Sequence, residues 1–290
     1  MEYRELSNGV KMPLIGYGVF QIPPDETERC VRDALEVGYR LIDTAQAYGN
    51  EAGVGKAIRE SGIARDEIFV TSKVWVSNMN YERAKASIDA SLEAMGLNHI
   101  DLMLLHQAYG DYHGAWRALE EAYRDGKLRA IGVSNFYPVR LMDMCAFAQV
   151  SPMVNQVETH VLCQQVEAHE NMNQLGVVHE AWGPFAEGRN TVFTNPVLTQ
   201  IGEKYGKSTA QVMLRWMIDR GIVPLPKSTH RERMAQNLDV FDFTLDKADH
   251  AAIAAMDGGH PIVWDHASLE VGAGLLNMIA SAQLQGAKLY

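Results

Sequence analysis

Four side chains that can hold or transfer a proton stand at or just beyond the ends of successive apolar runs. Asp43 ends the run at Tyr39–Asp43, Lys73 lies within FVTSKV, and His106 closes LMLLH. Tyr48 follows Asp43 in the stretch DTAQAYGNEAGVGKAI. Each has an ordinary structural explanation on its own, although lysine is rarely buried without a partner. Their joint placement predicts a catalytic group.

These residue types suit proton transfer to an oxygen. Tyrosine has an unperturbed pKa near ~10 and is a poor acid at neutral pH. A lysine ammonium beside it favours the phenolate and lowers that pKa, and Asp43 can keep Lys73 charged. His106 can donate a hydrogen bond to a substrate oxygen, and Tyr48 can give that oxygen its proton. The arrangement suits a carbonyl being reduced, and a cofactor must supply the hydride because side chains cannot.

A repeated strand-then-helix pattern predicts how these residues are positioned. Short apolar strands are expected at Leu14–Val19, Tyr39–Asp43, Ile68–Val74, Ile100–His106, Arg129–Val133, Met153–Val157, Val177–Trp182 and Ile222–Pro226. Helical patterns such as Pro24–Val37 and Tyr81–Met95 lie between most of them. Eight such units favour a closed (β/α)8 barrel of the TIM type, whose chemistry sits at the C-terminal ends of the strands.

The two ends of the chain lie outside the barrel pattern. Asn8-Gly9, between apolar residues, predicts an N-terminal hairpin with a two-residue turn. The tail after Asp257 predicts an extra helix and an irregular loop. Neither a linker nor a change in composition divides the chain, so residues 1–290 are expected to form one domain.

Composition narrows the classes of partner and location. The chain has 290 residues, 47% of them apolar, and a formal net charge of −10, which argues against nucleic acid or an anionic membrane. No apolar run approaches the roughly 20 residues that span a bilayer. Three cysteines and the absence of a signal-peptide pattern predict reduced thiols and a cytoplasmic protein. The histidines show no metal-ligand spacing. Oligomeric state is left open, with a monomer favoured.

The Gly-rich segment after Asp43 does not match a phosphate-binding loop. Such a loop needs Gly, four residues, then Gly-Lys and a hydroxyl residue. Asn50 stands at the first position and Ala57 at the last. The lone Gly16-Tyr17-Gly18 lacks the third glycine of a dinucleotide fingerprint. The segment is better interpreted as a helix capped by Asn50.

Six motifs give the chain a resemblance to the aldo-keto reductase family over nearly its whole length, with the bacterial small aldehyde and ketone reductases most similar. They are DTAQAYGNE from Asp43, SKVW from Ser72, LLH from Leu104, IGVSNF from Ile131, NQVE from Asn155 and PKSTHRERMAQN from Pro226. The resemblance implies a (β/α)8 barrel that binds NADPH and reduces aldehydes or ketones to alcohols.

The resemblance also implies roles for individual residues. Asp43, Tyr48, Lys73 and His106 match the family's catalytic tetrad. Ser134, Asn135 and Gln156 match the residues that hold the nicotinamide carboxamide, and Trp182 the ring that stacks on the nicotinamide. The 2′-phosphate pocket is matched by Lys227, Ser228 and Arg233, and the neighbourhood of the adenine by Asn237. No metal is implied.

The substrate pocket is less defined by the motifs. Phe20, Trp75, Tyr109 and Trp264, together with Tyr48, are candidate walls for a small carbonyl substrate. Gln107-Ala108-Tyr109 replaces the Trp-Pro that often follows the histidine in this family, Gly183 replaces a common Ser, and Gln236 a common Glu. The tail from Gly258 does not match the family pattern.

Two other functions remain open from the residues. A barrel of this kind could bind the nucleotide tightly as a redox-sensing subunit, which slow turnover would favour. Lys73 could form a Schiff base in a lyase, but Asp43 beside it would keep the amine charged and therefore not nucleophilic.

Overall fold

An antiparallel hairpin begins the chain in the computed structural model, which describes residues 2–284 and the side chains of residues 2–277. Strand β1 (Tyr3–Glu5) pairs with β2 (Lys11–Pro13). The turn holds three residues, not the expected two, because the Leu6 amide bonds to the Val10 carbonyl and Gly9 takes a φ of 83°. The Asn8 amide donates to the Arg129 carbonyl at 2.9 Å and thereby holds the hairpin on the barrel.

Eight parallel strands follow, each paired with the next along the chain. They are β3 (Tyr17–Gly18), β4 (Leu41–Asp43), β5 (Phe69–Val74), β6 (Ile100–Leu105), β7 (Leu128–Ser134), β8 (Val154–Glu158), β9 (Val178–Trp182) and β10 (Val223–Pro224). All eight fall within or next to the predicted runs. Their near-continuous burial is that of parallel strands covered on both faces.

Two backbone hydrogen bonds join the first of these strands to the last. The Gly16 amide donates to the Pro224 carbonyl at 3.0 Å and the Gly18 amide to the Pro226 carbonyl at 3.1 Å. A Cβ at Gly16 would lie 2.2 Å from a methyl carbon of Leu41 and 2.6 Å from one of Leu225, so a larger residue here would force these side chains to shift. The eight strands therefore close into the predicted (β/α)8 barrel.

Eleven helices surround the barrel and follow it along residues 2–284. They are α1 (Pro24–Val37), α2 (Glu51–Glu60), α3 (Tyr81–Met95), α4 (Tyr112–Arg124), α5 (Pro138–Phe147), α6 (Val166–Gln174), α7 (Pro196–Tyr205), α8 (Thr209–Asp219), α9 (Arg231–Leu238), α10 (Lys247–Ala254) and α11 (Leu269–Leu284). The predicted bounds of α1 and α3 are confirmed, since Gly38 and Gly96 end them with positive φ.

The start of α2 is built differently from the prediction. Asn50 occupies the N-cap position, but its side chain makes no capping bond. Its oxygen instead accepts from the Thr44 hydroxyl at 2.7 Å, and its amide nitrogen donates to the Val19 carbonyl at 3.1 Å. Asn50 thus ties the loop that carries Tyr48 to the end of β3, because its side chain hydrogen-bonds both to Thr44 and to Val19.

The tail adds a loop and α11 beyond the barrel, as predicted, and its residues 285–290 lie outside the described part. Within residues 2–284, no helix combines the length and the apolar character needed to cross a bilayer.

Candidate active site

The C-terminal ends of three neighbouring strands bring the predicted catalytic residues together. Asp43 ends β4, Lys73 lies near the end of β5, and His106 follows β6 directly. Tyr48 ends the short 3-10 helix Gln46–Tyr48 that leaves β4. The strand order places these side chains at one mouth of the barrel.

Lys73 is the centre of this group. Its ammonium lies 2.7 and 2.8 Å from the two oxygens of Asp43 and 3.0 Å from the Thr44 carbonyl. The Tyr48 hydroxyl is 3.3 Å away. The Lys73 side chain is fully buried, so this bidentate ion pair is shielded from solvent.

Burial and charge act in opposite directions on the Lys73 pKa. Burial alone would lower it, but the Asp43 carboxylate outweighs burial and holds the pKa above its usual value. Lys73 is therefore a cation at neutral pH.

The Tyr48 pKa differs from the prediction. Burial raises it, and the Lys73 ammonium offsets only part of that increase, so the net pKa lies above its usual value. Lys73 acts in the expected direction, but desolvation of the phenolate is the larger effect. Tyr48 consequently keeps its proton at neutral pH.

His106 is held as a neutral ring between aromatic side chains. Its centroid lies 5.8 Å from that of Tyr48 and 5.0 Å from that of Trp75, both edge-on. Burial, with contributions from Lys73 and His266, lowers the His106 pKa well below its usual value. Its Nδ1 atom is buried and has no protein partner among the described residues. A neutral imidazole can donate one hydrogen bond to a substrate oxygen.

The residues predicted to hold the nicotinamide form one chain of hydrogen bonds. The indole of Trp182 donates to Asn135 Oδ1 at 2.9 Å. The side-chain amide of Asn135 donates to the Ser134 hydroxyl, and that hydroxyl donates to the main-chain carbonyl of Gln156 at 2.9 Å. Asn135 takes a φ of 63°, a left-handed conformation that asparagine tolerates. These bonds fix the side chains of Ser134, Asn135 and Trp182 relative to one another and to the backbone of β8.

The residues predicted to bind the 2′-phosphate gather around the start of α9. Lys227 and Ser228 lie in the loop before this helix, Arg233 in its first turn, and Asn237 is buried in its last turn. Neither Lys227 nor Arg233 pairs with a carboxylate in the described part of the chain. Arg231, on the same helix, does pair with carboxylates of α1. No side chain caps the start of α9, so its first amides are available to an anion.

Two of the four predicted substrate walls contact the catalytic candidates. The Phe20 ring lies 4.9 Å from that of Tyr48, and Trp75 packs on His106. Tyr109 lies near Gly272, where a Cβ would be 3.1 Å from the tyrosine hydroxyl. Trp264 lies 6.2 Å from His266 between ring centroids. Both therefore belong to the side of the site formed by the tail.

The whole sequence, together with this fold, identifies the family of the chain. The sequence profile of the "Aldo/keto reductase family" matches residues 7–257. The chain belongs to the aldo/keto reductase family. The resemblance inferred from the six motifs is confirmed.

Individual relatives of this aldo/keto reductase agree along most of their length. Glyoxal reductase of Bacillus subtilis is 46% identical over 255 residues, which are 87% of this chain and 92% of the relative. An aldo-keto reductase from a Medee basin deep-sea metagenome library has a solved structure with a TM-score of 0.88 at 41% identity, covering 91% of this chain and 98% of its own. The structure of a Bombyx mori aldo-keto reductase in complex with NADP superimposes with a TM-score of 0.84 at 33% identity, covering 89% and 94%.

One buried carboxyl group in the site was missed from the sequence. Glu180 on β9 is fully buried, and its Oε2 accepts from the Gln156 amide at 2.7 Å. The same amide donates to Asp43 at 3.0 Å, so Gln156 bridges the two carboxyl groups. Burial, and then Asp43, raise the Glu180 pKa. Glu180 lies two residues before Trp182, so the two side chains leave the same face of the strand. This spacing could have identified Glu180 as a residue of the site from the sequence.

No metal centre accompanies these groups in the described residues. Across residues 2–277, no set of three or more His, Cys, Asp or Glu side chains is placed to hold a metal ion.

Proposed function

We propose that this aldo/keto reductase reduces small aldehydes and ketones to alcohols with NADPH, and that Tyr48 is the general acid. One observation carries the proposal: the Lys73 ammonium contacts the Asp43 carboxylate and the Tyr48 hydroxyl at once, at 2.7 and 3.3 Å. A buried lysine held by an aspartate can stabilise the phenolate of the adjacent tyrosine. That negative charge exists only once the tyrosine proton leaves, so the stabilisation acts during the reaction.

Membership of the family makes the chain an NADP-dependent oxidoreductase, and the residues present fit that cofactor. Lys227 and Arg233, with the first amides of α9, offer a helix start and two cations that pair with no carboxylate among the described residues to a phosphate dianion. Trp182 offers a ring face for stacking, and Ser134, Asn135 and Gln156 offer polar groups to a carboxamide. A structure of a Bombyx mori relative contains NADP. When bound, the cofactor supplies the hydride.

The side chains divide the remaining chemistry. His106, being neutral, donates a hydrogen bond to the carbonyl oxygen and orients the substrate. Tyr48 transfers its proton to that oxygen as negative charge develops there, so the tyrosine O–H bond breaks while the O–H bond of the alcohol forms. Lys73 then faces the phenolate that Tyr48 has become, and Asp43 keeps the lysine charged and in place.

The raised pKa of Tyr48 is consistent with this role. An acid must carry its proton until the substrate oxygen becomes more basic than the phenolate. Burial ensures that the proton is present at neutral pH, while Lys73 limits the cost of losing it. The expected lowering of the Tyr48 pKa is thus not required for the reaction.

The substrate class follows from the surroundings of these groups. Phe20 and Trp75 pack on Tyr48 and His106 and leave an aromatic wall at the reacting centre. Such walls suit a small carbonyl with few polar groups. The Bacillus subtilis relative is a glyoxal reductase, which supports small aldehydes and dicarbonyls as the first compounds to test.

The Schiff-base alternative is disfavoured by the same contacts. Lys73 is held as a cation by Asp43, and a charged amine is not a nucleophile. Trapping of a substrate on Lys73 by borohydride would be needed to restore that hypothesis.

The test follows NADPH consumption by the purified protein with glyoxal, methylglyoxal and an aryl aldehyde. We expect saturable reduction, and a loss of about 10²–10⁴-fold in kcat for Tyr48→Phe with NADPH binding retained. Tyr205→Phe is the matched control, because its hydroxyl bonds to Asp249 at 2.6 Å on the outer helices. No reduction of any carbonyl by a protein that binds NADPH would refute the proposed function.

A further inference from the structure

A buried carboxylate binds three successive residues of the loop that follows α10. Three successive backbone amides of this loop donate to Glu158: Ile262 at 2.8 Å and Val263 at 3.0 Å to Oε1, and Trp264 at 2.9 Å to Oε2. These contacts join residues 104 to 106 positions apart in the chain. Glu158 therefore attaches residues 262–264 of the loop to the barrel.

The environment of Glu158 makes this attachment strong. The residue is fully buried, and the Nε2 atom of His160 lies 3.1 Å from Oε1. Burial would raise the Glu158 pKa, but the bonds from His160 and the three amides outweigh it and hold the pKa below its usual value. A buried carboxylate that accepts several amide bonds costs far more to leave unpaired than a neutral acceptor.

A second contact ties the same loop to the catalytic side of the barrel. Nε2 of His266 lies 2.9 Å from Oε1 of Gln107, the residue directly after His106. Nδ1 of the same ring lies 3.0 Å from the Trp264 carbonyl, which folds the loop back on itself. The loop is thus fixed at Ile262–Trp264 by Glu158 and at His266 by Gln107.

The position of Glu158 on its strand places this attachment of the loop next to the proposed active site. Glu158 ends β8 two residues after Gln156, so the two side chains leave the same face of the strand. Gln156 in turn contacts Asp43. The carboxylate that holds the loop therefore stands at the same barrel mouth as the proposed acid.

We propose that Glu158 is a positioning residue that fixes the segment Ile262–His266 as one wall of the substrate pocket and so limits the size of the carbonyl that reaches His106. The proposal rests on the proposed function and adds a specificity determinant to it. Glu158 does not contact the reacting atoms in this account. It acts through Trp264 and His266, the two rings of the segment.

The test compares Glu158→Gln and Glu158→Ala with Trp264→Ala. The Trp264 variant removes a ring of the proposed pocket wall but keeps Glu158, which holds the loop. Reduction of glyoxal and of a bulky aryl ketone is measured for each, along with the NADPH Kd. We expect the ratio of kcat/KM for the bulky substrate to that for glyoxal to rise about tenfold in all three, with the NADPH Kd changed by less than about twofold. Glu158→Gln is expected to be enough to loosen the loop, because the NH2 group of the glutamine would face backbone amides that are also hydrogen-bond donors.

Glu120→Gln is the matched control. Glu120 is also a buried carboxylate, and it accepts two backbone amides, those of Gln149 at 2.7 Å and Val150 at 2.9 Å, in the loop before β8. That loop precedes the strand and so lies at the opposite end of the barrel. Glu120→Gln should lower stability without changing the substrate ratio. An equal change in the ratio would show a general loosening and overturn the proposal.

Hydrogen exchange gives a readout that does not depend on activity. The amides of residues 262–264 should exchange slowly in the wild-type protein and faster in Glu158→Gln, while the barrel strands are unaffected. Unchanged exchange in Glu158→Gln, or an unchanged substrate ratio in every folded variant, would overturn the proposal. A wild-type protein that reduces no carbonyl would instead refute the proposed function, and the exchange result would still decide whether Glu158 holds the loop.

Discussion

Replacing Asp43 with Asn tests the buried ion pair on which the site depends. Among the described residues, Asp43 is the only carboxylate within hydrogen-bonding distance of the Lys73 ammonium. The substitution keeps the size of the side chain and one acceptor oxygen but removes the charge. Lys73 would be left with the asparagine oxygen, the Thr44 carbonyl and the Tyr48 hydroxyl, all of them neutral.

The expected cost follows from the burial of both partners. The Lys73 side chain is 0% exposed and that of Asp43 is 5% exposed, so solvent cannot replace the lost partner. Removing one member of a buried pair costs about 3–5 kcal/mol of unfolding free energy. We expect the lower end, about 3 kcal/mol, because the asparagine oxygen still accepts one bond.

The assay is urea unfolding of Asp43→Asn, Lys73→Met and the double variant at neutral pH. We expect a lower midpoint at constant m for each single variant. The double variant should regain much of the loss, because no charge remains buried without a partner, which gives a coupling energy of about 3 kcal/mol. All three should lose carbonyl reduction, since Tyr48 no longer faces an anchored cation.

The exposed pair of Lys56 and Glu28 supplies the control cycle. Its atoms are also close, at 2.8 Å, but both side chains meet solvent. Its coupling should be much smaller because water screens the charges. Additive effects of Asp43→Asn and Lys73→Met, or an Asp43→Asn variant as stable as the wild type, would refute the reasoning.

Three further predictions concern charge in and around the site. Lys227→Ala and Arg233→Ala should each raise the NADPH Kd by about tenfold and leave the NADH Kd nearly unchanged, because only NADPH carries the 2′-phosphate. Glu180 holds its proton above the ordinary carboxyl value of 4.5, so its contribution to stability is complete below that pH and is lost as pH rises through the raised folded pKa. The unfolding free energy of the wild type should therefore fall with rising pH more steeply than that of Glu180→Gln. The His106 ring should stay neutral near pH 6 in an NMR titration, because burial lowers its pKa well below the ordinary 6.5.

Each of these predictions has a contrary result. Arg231→Ala is the control for the cofactor variants, since Arg231 already pairs with carboxylates of α1. Equal weakening of NADPH and NADH would contradict the placement of the 2′-phosphate. Parallel pH curves for the wild type and Glu180→Gln would mean that Glu180 is ionised at neutral pH. Protonation of His106 near its ordinary value would exclude a neutral hydrogen-bond donor.

The strands could be predicted from sequence because each is a short apolar run bounded by turn residues. The interior strands β5 and β6 match their predicted runs to within one residue at each end. The last strand is shorter than predicted, since Pro224 and Pro226 have no amide hydrogen to donate to the ladder. The N-terminal turn was also misjudged, because Asn8-Gly9 fits both two- and three-residue hairpins.

The site could be predicted only in part. Lysine within an apolar strand is unusual enough to identify Lys73, and strand order then places Asp43 and Tyr48 beside it. The sign of the Tyr48 pKa shift could not be predicted, because it depends on burial by the packed barrel mouth. The contact of Glu158 with Ile262 spans 104 residues and follows no periodic pattern, so only the folded chain reveals it.

The central claim is that Tyr48 gives the proton to the substrate oxygen while Lys73 stabilises the charge left behind. A single-turnover measurement of glyoxal reduction by Tyr48→Phe saturated with NADPH, compared with Tyr205→Phe, tests it most directly. We predict a rate about 10²–10⁴-fold below that of the wild type, with an unchanged NADPH Kd. A rate near that of the wild type, or a loss explained wholly by weaker NADPH binding, would contradict the account.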